Sequence, residues 1–202
     1  VVKVVGTAGR VEECLEIVRA FRRASKPTIA IAMGRAGLLT RVLALREQEC
    51  FLTYAALGEA SATAPGQLTV DEMLHTYAAR RLRPTTRVYG LLGRHSEPDR
   101  LAEYNAWFVA DGWDGVTVPF DAGADADADA STIVGAFREL PVSGWHIHGA
   151  DLQTGVLSAL DDLSASAESH ARANAVVRRA DDSLVGHWVE SPREQYAVWR
   201  SA

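Results

Sequence analysis

The stretch that most constrains this chain is residues 26–67, KPTIAIAMGRAGLLTRVLALREQECFLTYAALGEASATAPGQ. Residues 27–33 form a continuous aliphatic run between Lys26-Pro27 and Gly34, the pattern of a strand buried on both faces. Residues 35–45 place Leu38, Leu39, Val42 and Leu45 at helical spacing. Residues 51–55 read as a second short strand, and a small-residue loop then ends in Thr63-Ala64-Pro65-Gly66-Gln67. Strand, turn, helix, strand and loop is the rhythm of a parallel α/β protein. Ligands in such folds sit on the loops at the carboxyl ends of the strands. Arg41 would be a planar donor for a carboxylate there, and Thr63 and Gln67 would offer a hydroxyl and an amide to a polyol. The competing readings are an exposed helical arginine and an ordinary Pro-Gly turn.

Lys3 and Lys26 are the only lysines among the 21 basic residues. Lys3 lies in an apolar run, residues 1–6, that reads as a buried strand. The helix after it, residues 12–23, turns Cys14, Leu15, Val18 and Phe21 inward. A lysine pointing into or along a core must have its ammonium solvated or neutralised. Burial disfavours the charged form, which makes an amine a nucleophile toward carbonyls. The alternative is a lysine at a strand edge.

At 202 residues the chain can build one large or two small domains. A hydrophobic content of 48% and a charged content of 23% are those of a globular protein. A net charge of −5 gives no basic footprint for nucleic acid. No apolar run approaches the roughly 18 residues of a membrane span. The start reads as a strand rather than a signal peptide. The expected setting is therefore cytoplasmic, with a small-molecule substrate and no nucleic-acid or membrane partner. The sequence leaves homo-oligomerisation open. Cys14 and Cys50 read as buried thiols in a reducing compartment. The first residue is not Met and falls inside a strand pattern, so the chain reads as an interior piece of a longer one.

A helix is expected over residues 69–79, and residues 80–86, RRLRPTT, read as a polar hinge. A second pattern follows: strand 87–92, helix 98–110, strand 113–120, helix 132–140 and strand 144–148. Helices 156–163 and 165–171 come next, then a hairpin of 174–179 and 183–188 around Asp181-Asp182, and a helix at 192–199. The Ala/Asp run at 122–130 reads as a solvated loop. His146 and His148, two apart on a strand, face one side. They could begin a metal site, but no third ligand is evident, so no metal is expected.

Met33-Gly34-x-x-Gly37, Thr40-Arg41 and Thr63-Ala64-Pro65-Gly66-Gln67 together resemble type I 3-dehydroquinate dehydratase, a (β/α)8 barrel that dehydrates 3-dehydroquinate through a Schiff base. The resemblance implies that residues 1–80 are the last three βα units of such a barrel. It makes Lys3 the Schiff-base lysine and Arg41 the carboxylate clamp. Thr63, replacing a serine, and Gln67 become substrate ligands, while Met33 and Tyr54 line the pocket. A whole barrel takes about 250 residues. The first five strands and the general-base histidine would lie upstream, two edges and an apolar face would be open, and this segment alone would be inactive.

Val88-Tyr89-Gly90-Leu91-Leu92-Gly93, Asn105 with Phe108, and Ala173-Asn174-Ala175-Val176-Val177-Arg178-Arg179 before Leu184-Val185-Gly186 resemble the substrate-binding amino-terminal domain of shikimate dehydrogenase over residues 87–190. The expected layout is 1–80 partial barrel, 81–86 linker, 87–190 dehydrogenase-like domain and 191–202 terminal helix. Fusions of these two families occur as bifunctional enzymes in plants and some bacteria. Asn174 falls at a substrate-binding position. Of the family's Ser-x-Ser pair only Ser96 remains, and Glu97 beside it would repel a carboxylate. No lysine follows Lys26, so the family's acid/base position is empty, and its partner aspartate falls near Glu190. No Gly-x-Gly-x-x-Gly run occurs and no room remains for a dinucleotide domain, so NADP and other cofactors are not expected. The chain thus reads as a shikimate-pathway protein, a 3-dehydroquinate dehydratase in its complete parent, joined to a domain that has lost catalysis. Its alternative is a non-catalytic binding or regulatory module, with 3-dehydroquinate or shikimate as ligand.

Overall fold

A computed structural model describes residues 1–61, 63–64, 66–94, 97–123, 129–140 and 142–202, with only the backbone of Glu59. Pro65, His95, Ser96 and positions 124–128 of the Ala/Asp run therefore lie outside the described residues. The first part of the chain alternates strand and helix: β1 (Val2–Thr7), α1 (Cys14–Arg22), β2 (Thr28–Met33) and α2 (Leu38–Leu43). β1 and β2 pair in parallel from Val2↔Thr28 to Thr7↔Met33. β2 is the buried strand its aliphatic run predicts. The Gly34-x-x-Gly37 turn that follows is steric. A Cβ on Gly37 would lie 2.3 Å from the Ala32 oxygen, so only glycine lets α2 start so close to β2.

Two expectations for this part are corrected. β1 is largely exposed rather than buried: Val2, Val4 and Val5 are 43%, 37% and 46% accessible. Its only strand partner among the described residues is β2, so one edge and one face lack cover. Residues 51–55 are not a strand. Cys50, just before them, makes one bridge to Thr28, reinforced by the Phe51 amide on the Thr28 carbonyl, and the chain then leaves the sheet. A ladder needs successive pairs, and none forms here. The expected helix at 69–79 is reduced to a π-helical turn, Glu72–Thr76, and a 3₁₀ turn, Ala79–Arg81.

The rest builds a six-stranded mixed sheet in the order β4-β3-β5-β7-β8-β6. Its parallel centre comes from β3 (Arg87–Gly93), α3 (Pro98–Ala110), β4 (Gly115–Asp121), α4 (Ala130–Ala136) and β5 (Val142–Ile147). Then follow α5 (Ala150–Gly155), β6 (Asp162–Leu163), α6 (Ala165–His170), β7 (Ala175–Arg178), β8 (Leu184–His187) and α7 (Pro192–Arg200). β7 and β8 are the antiparallel hairpin expected around Asp181-Asp182. Of the helix expected over 156–163, Val156–Ala159 forms a 3₁₀ helix and Asp162–Leu163 a short strand, with an α-helix just before them at Ala150–Gly155.

One face of this sheet carries an aromatic cluster: Tyr89, Tyr104, Phe108, Tyr196 and Trp199, the last with its ring 4.6 Å from Tyr89. The other face shares one continuous apolar core with the first part of the chain. Val18, Phe21, Leu39 and Leu43 belong to the same cluster as Val88, Phe120, Phe137 and Val142. Polar ties cross the same seam, from Arg19 Nε to Glu139 at 2.8 Å and from Arg35 Nε to Asp121 at 3.3 Å. Arg46 donates to the Pro84 carbonyl at 3.0 Å, and buried Thr86 donates to Asp114 at 2.7 Å. The segment expected as a hinge is thus pinned by packing and hydrogen bonds on both sides. Cys14 is buried, with its thiol on the Ala36 carbonyl at 3.2 Å, and Cys50 is half-buried rather than buried; neither forms a disulfide.

Candidate functional site

Six of the seven site residues singled out in the sequence converge on one cavity of about 200 Å³. Lys3 and Val5 reach it from β1, Ile31 and Met33 from β2, and Arg41 from α2. Tyr54, Thr63, Ala64 and Gln67 close it from the following segment. The pairing explains the convergence. Val5 sits opposite Ile31, and side chains two apart on a strand share a face, so Lys3 and Met33 join the same wall. Val5 and Ile31 were not singled out in the sequence, although the period of two starting from Lys3 and Met33 points to both.

Arg41 is 3% exposed, and its Nε has no hydrogen-bond partner. Burial disfavours the guanidinium charge and lowers its pKa. Among the described residues no carboxylate lines the cavity. A buried cation without a counter-charge is costly, and a carboxylate entering here would remove that cost with a planar, two-pronged contact. Lys3 is exposed rather than buried, because β1 has the open edge and face described above. Its Nζ stands 5.4 Å from the centre of the Tyr54 ring, within cation–π range. The amine therefore faces the cavity from an open rim, which corrects the picture of a lysine sealed in a core.

The Thr63–Gln67 loop is closed on itself. The Thr63 amide and hydroxyl both donate to Gln67 Oε1, at 2.8 and 3.1 Å. Gly66 lets this loop lie on the exit of β2: it has φ of +72°, and a Cβ there would come 2.3 Å from the Gly34 oxygen. The loop is thereby held beside Met33 and Arg41.

The seventh residue, Asn174, belongs to another cavity, of about 650 Å³, at the carboxyl ends of β3 and β5. Glu97, Asp99 and Arg100 line it at the start of α3, His146 and His148 at the end of β5, Gln153 from α5, and Glu190 and Ser191 before α7. The Asn174 amide donates to the Val189 carbonyl at 2.7 Å and accepts from the Val189 amide at 2.9 Å. Much of its capacity is spent on fixing the wall. His146 Nδ1 is 2.8 Å from the Tyr104 hydroxyl. Burial, with help from Arg100 and His148, pushes the His146 pKa down to about 4, so the ring is neutral near pH 7. His148 Nδ1 lies 2.7 Å from Glu97 Oε1. Asp99, Arg100, Gln153 and Ser191 escaped the sequence reading. Asp99 and Arg100 follow directly on Glu97, whereas Gln153 depends on a helix that periodicity did not reveal. Among the described residues no group of three His, Cys, Asp or Glu could hold a metal ion. No helix among them is long and apolar enough to cross a membrane.

The motifs and the Lys3–Arg41 cavity lie within one matched stretch. Residues 1–84 match the type I 3-dehydroquinase family. Relatives of the bifunctional kind extend the likeness past that boundary. The chain is 29% identical over 119 residues to the bifunctional 3-dehydroquinate dehydratase/shikimate dehydrogenase of Arabidopsis thaliana, covering 54% of this chain and 20% of that protein. It is 27% identical over 195 residues to the shikimate biosynthesis protein AroDE of Chlamydia pneumoniae, covering 92% of this chain and 38% of that protein. A solved dehydroquinate dehydratase and shikimate dehydrogenase structure from S. pombe AroM overlaps 92% of this chain and 35% of its own, at 23% identity and a TM-score of 0.42. The chain thus spans between about a fifth and two fifths of the length of these curated relatives. The relatives are shikimate-pathway proteins.

Proposed function

We propose that residues 1–80 supply the lysine-bearing side of a 3-dehydroquinate dehydratase cavity, and that residues 87–190 are a shikimate dehydrogenase-like domain without hydride-transfer chemistry. The observation that carries the first part is the meeting of Lys3 with buried Arg41, whose Nε has no hydrogen-bond partner among the described residues, in a cavity that no described carboxylate lines. Arg41 would hold the substrate carboxylate and so place the ring carbonyl toward the rim where Lys3 stands. The Lys3 amine adds to that carbonyl and water leaves, giving an imine. The positive nitrogen then draws electrons from the neighbouring carbon and acidifies its C–H bond. Thr63 and Gln67 would exchange their mutual hydrogen bond for contacts to the ring hydroxyls, while Met33 and Tyr54 form apolar walls. No histidine lines the cavity among the described residues. A proton-transferring group other than the residues that line the cavity here would take the acidified proton and return it to the hydroxyl on the adjacent carbon, which leaves as water as the ring double bond forms; hydrolysis of the imine would then release 3-dehydroshikimate and free Lys3.

For residues 87–190 the reading of a binding or regulatory module has its own support. No lysine follows Lys26 to serve as a proton shuttle, and Glu97 is tied to His148 where an anion would approach.

The test is reductive trapping. The protein is incubated with 3-dehydroquinate and borohydride, and the product is mapped by peptide mass spectrometry. A reduced adduct on Lys3, absent after Arg41→Ala, is the expected result. An adduct on Lys26 alone, or none from folded protein, would refute the lysine assignment.

A further inference from the structure

The larger cavity, at the carboxyl ends of β3 and β5, has a hydrogen-bonded pair set into its wall. His146 lines the cavity from the end of β5. Its Nδ1 is turned onto the Tyr104 hydroxyl of α3, at 2.8 Å. Tyr104 does not line the cavity and is 0% exposed. Its ring is enclosed by Trp107, Trp199 and the His146 ring itself. The hydroxyl makes no other hydrogen bond to a described residue. This geometry fixes which atom carries which proton. A phenol has one proton to donate, and an imidazole nitrogen without hydrogen is an acceptor. If Nδ1 carried a hydrogen, the phenol proton would be sealed in as a buried donor without an acceptor, at a cost of about 1–3 kcal/mol. The favoured arrangement is therefore the Tyr104 hydroxyl donating to a bare Nδ1. A neutral ring has one N–H, which then falls on Nε2, at the other edge of the ring. Burial, with help from Arg100 and His148, disfavours the doubly protonated ring, and burial also keeps Tyr104 in its protonated form. Gln153 is fixed in a similar way: its Nε2 is spent on the Ile147 carbonyl at 3.0 Å, so its Oε1 is the end left to accept.

We infer that Tyr104 is a positioning residue that locks His146 as a fixed N–H donor, and that the Nε2–H of His146 holds a hydroxyl oxygen of a polyhydroxylated ring ligand in this cavity. The inference rests on the reading of residues 87–190 as a binding module. A hydroxyl accepts one hydrogen bond and donates another. His146 supplies the donor and Gln153 the acceptor, each with its other end tied down by the protein. Because the tautomer is set before the ligand arrives, no rearrangement of the ring is needed on binding. The same lock leaves His146 without a free lone pair, so the ring does not serve as a metal ligand.

The full chain, labelled with ¹⁵N, is titrated with shikimate. A spectrum correlating imidazole nitrogens with the carbon-bound ring protons reads the tautomer, and the His146 signals are assigned by their loss in His146→Phe. The free protein should show hydrogen on Nε2 and none on Nδ1, and shikimate should shift Nε2. Binding is followed independently at the Trp188 indole N–H, which donates to Glu190 on the same wall at 2.9 Å and is assigned by its loss in Trp188→Phe. Tyr104→Phe removes only the hydroxyl. It should leave a mixture of tautomers and raise the half-saturating shikimate concentration about three- to tenfold. His146→Phe should weaken binding at least as much, and the double variant should bind no worse than His146→Phe, because Tyr104 acts through His146. Hydrogen on Nδ1 in the wild type, an unchanged tautomer in Tyr104→Phe, or losses that add in the double variant would overturn the inference. A shift at Trp188 without one at His146 Nε2 would overturn it while leaving the binding-module reading in place. No shift at either would remove both.

Discussion

The two cavities differ in what their walls leave unpaired. In the first, an arginine is 3% exposed and shares its space with a lysine, and among the described residues it has no counter-ion and no carboxylate lines the cavity. In the second, three carboxylates face one arginine that is already committed to Glu103. Both sit at the carboxyl ends of parallel strands, and both belong to halves that resemble shikimate-pathway enzymes. Position in the fold is thus shared, while the charge left uncompensated on the two walls differs. The halves also differ in closure. β1 is open at an edge and a face, whereas β3, β4 and β5 are covered on both faces, one of them partly by α1 and α2.

The largest effect should come from cutting the core that joins the halves. Leu39 is fully buried in it, and Leu39→Ala should cost about 2–5 kcal/mol. Because that core is continuous, thermal unfolding should drop as one transition; two separated transitions would show that the halves fold apart. Next in size is Arg41→Ala, which should weaken capture of 3-dehydroquinate on Lys3 by roughly 2–4 kcal/mol, with Arg41→Lys rescuing little because an ammonium lacks the planar fork. Equal trapping by wild type and Arg41→Ala would remove the charge contrast between the cavities.

His146 gives the second cavity a pH signature of comparable scale. Its folded pKa is depressed from the usual 6.5 to about 4, so the neutral form is the folded form. The stability it contributes is present above about pH 6.5 and is lost as pH falls toward 4, by roughly 3 kcal/mol in all. Chemical denaturation at a series of pH values should show this slope, and His146→Gln should flatten it. An unchanged slope in the variant would mean that other groups carry the dependence. The smallest effect is expected at Thr63→Ala. It removes one hydroxyl from the loop pair and should weaken trapping by about 0.5–1.5 kcal/mol, read from the substrate concentration giving half-maximal adduct.

Much of this was legible in the residues. The aliphatic run of β2 and the helix of Pro98–Ala110 follow from periodicity alone, because burial imposes period and the period is local. Arg41, Thr63 and Gln67 were singled out by residue type and place in the βα pattern, and Lys3 as a Schiff-base candidate only through the family resemblance; all four line one cavity.

What stayed hidden depended on partners distant in the chain. Val1 to Gly6 has the same apolar pattern as a buried strand, yet it is exposed. Burial belongs to what packs on a strand, and β1 has one strand neighbour among the described residues. Residues 51–55 have strand composition but the chain meets β2 at a single bridge just before them, and pairing cannot be read from one strand's sequence. The sequence by itself determined the parallel α/β rhythm and the chemical groups available, both of which are carried by local pattern and residue type. Only the tertiary structure decided that Lys3 stands on an open rim, that Arg41 is buried with no counter-ion among the described residues, and that Glu97, Asp99 and Glu190 share one wall. Charge compensation is a property of groups brought together across tens of residues, and folding alone sets those distances.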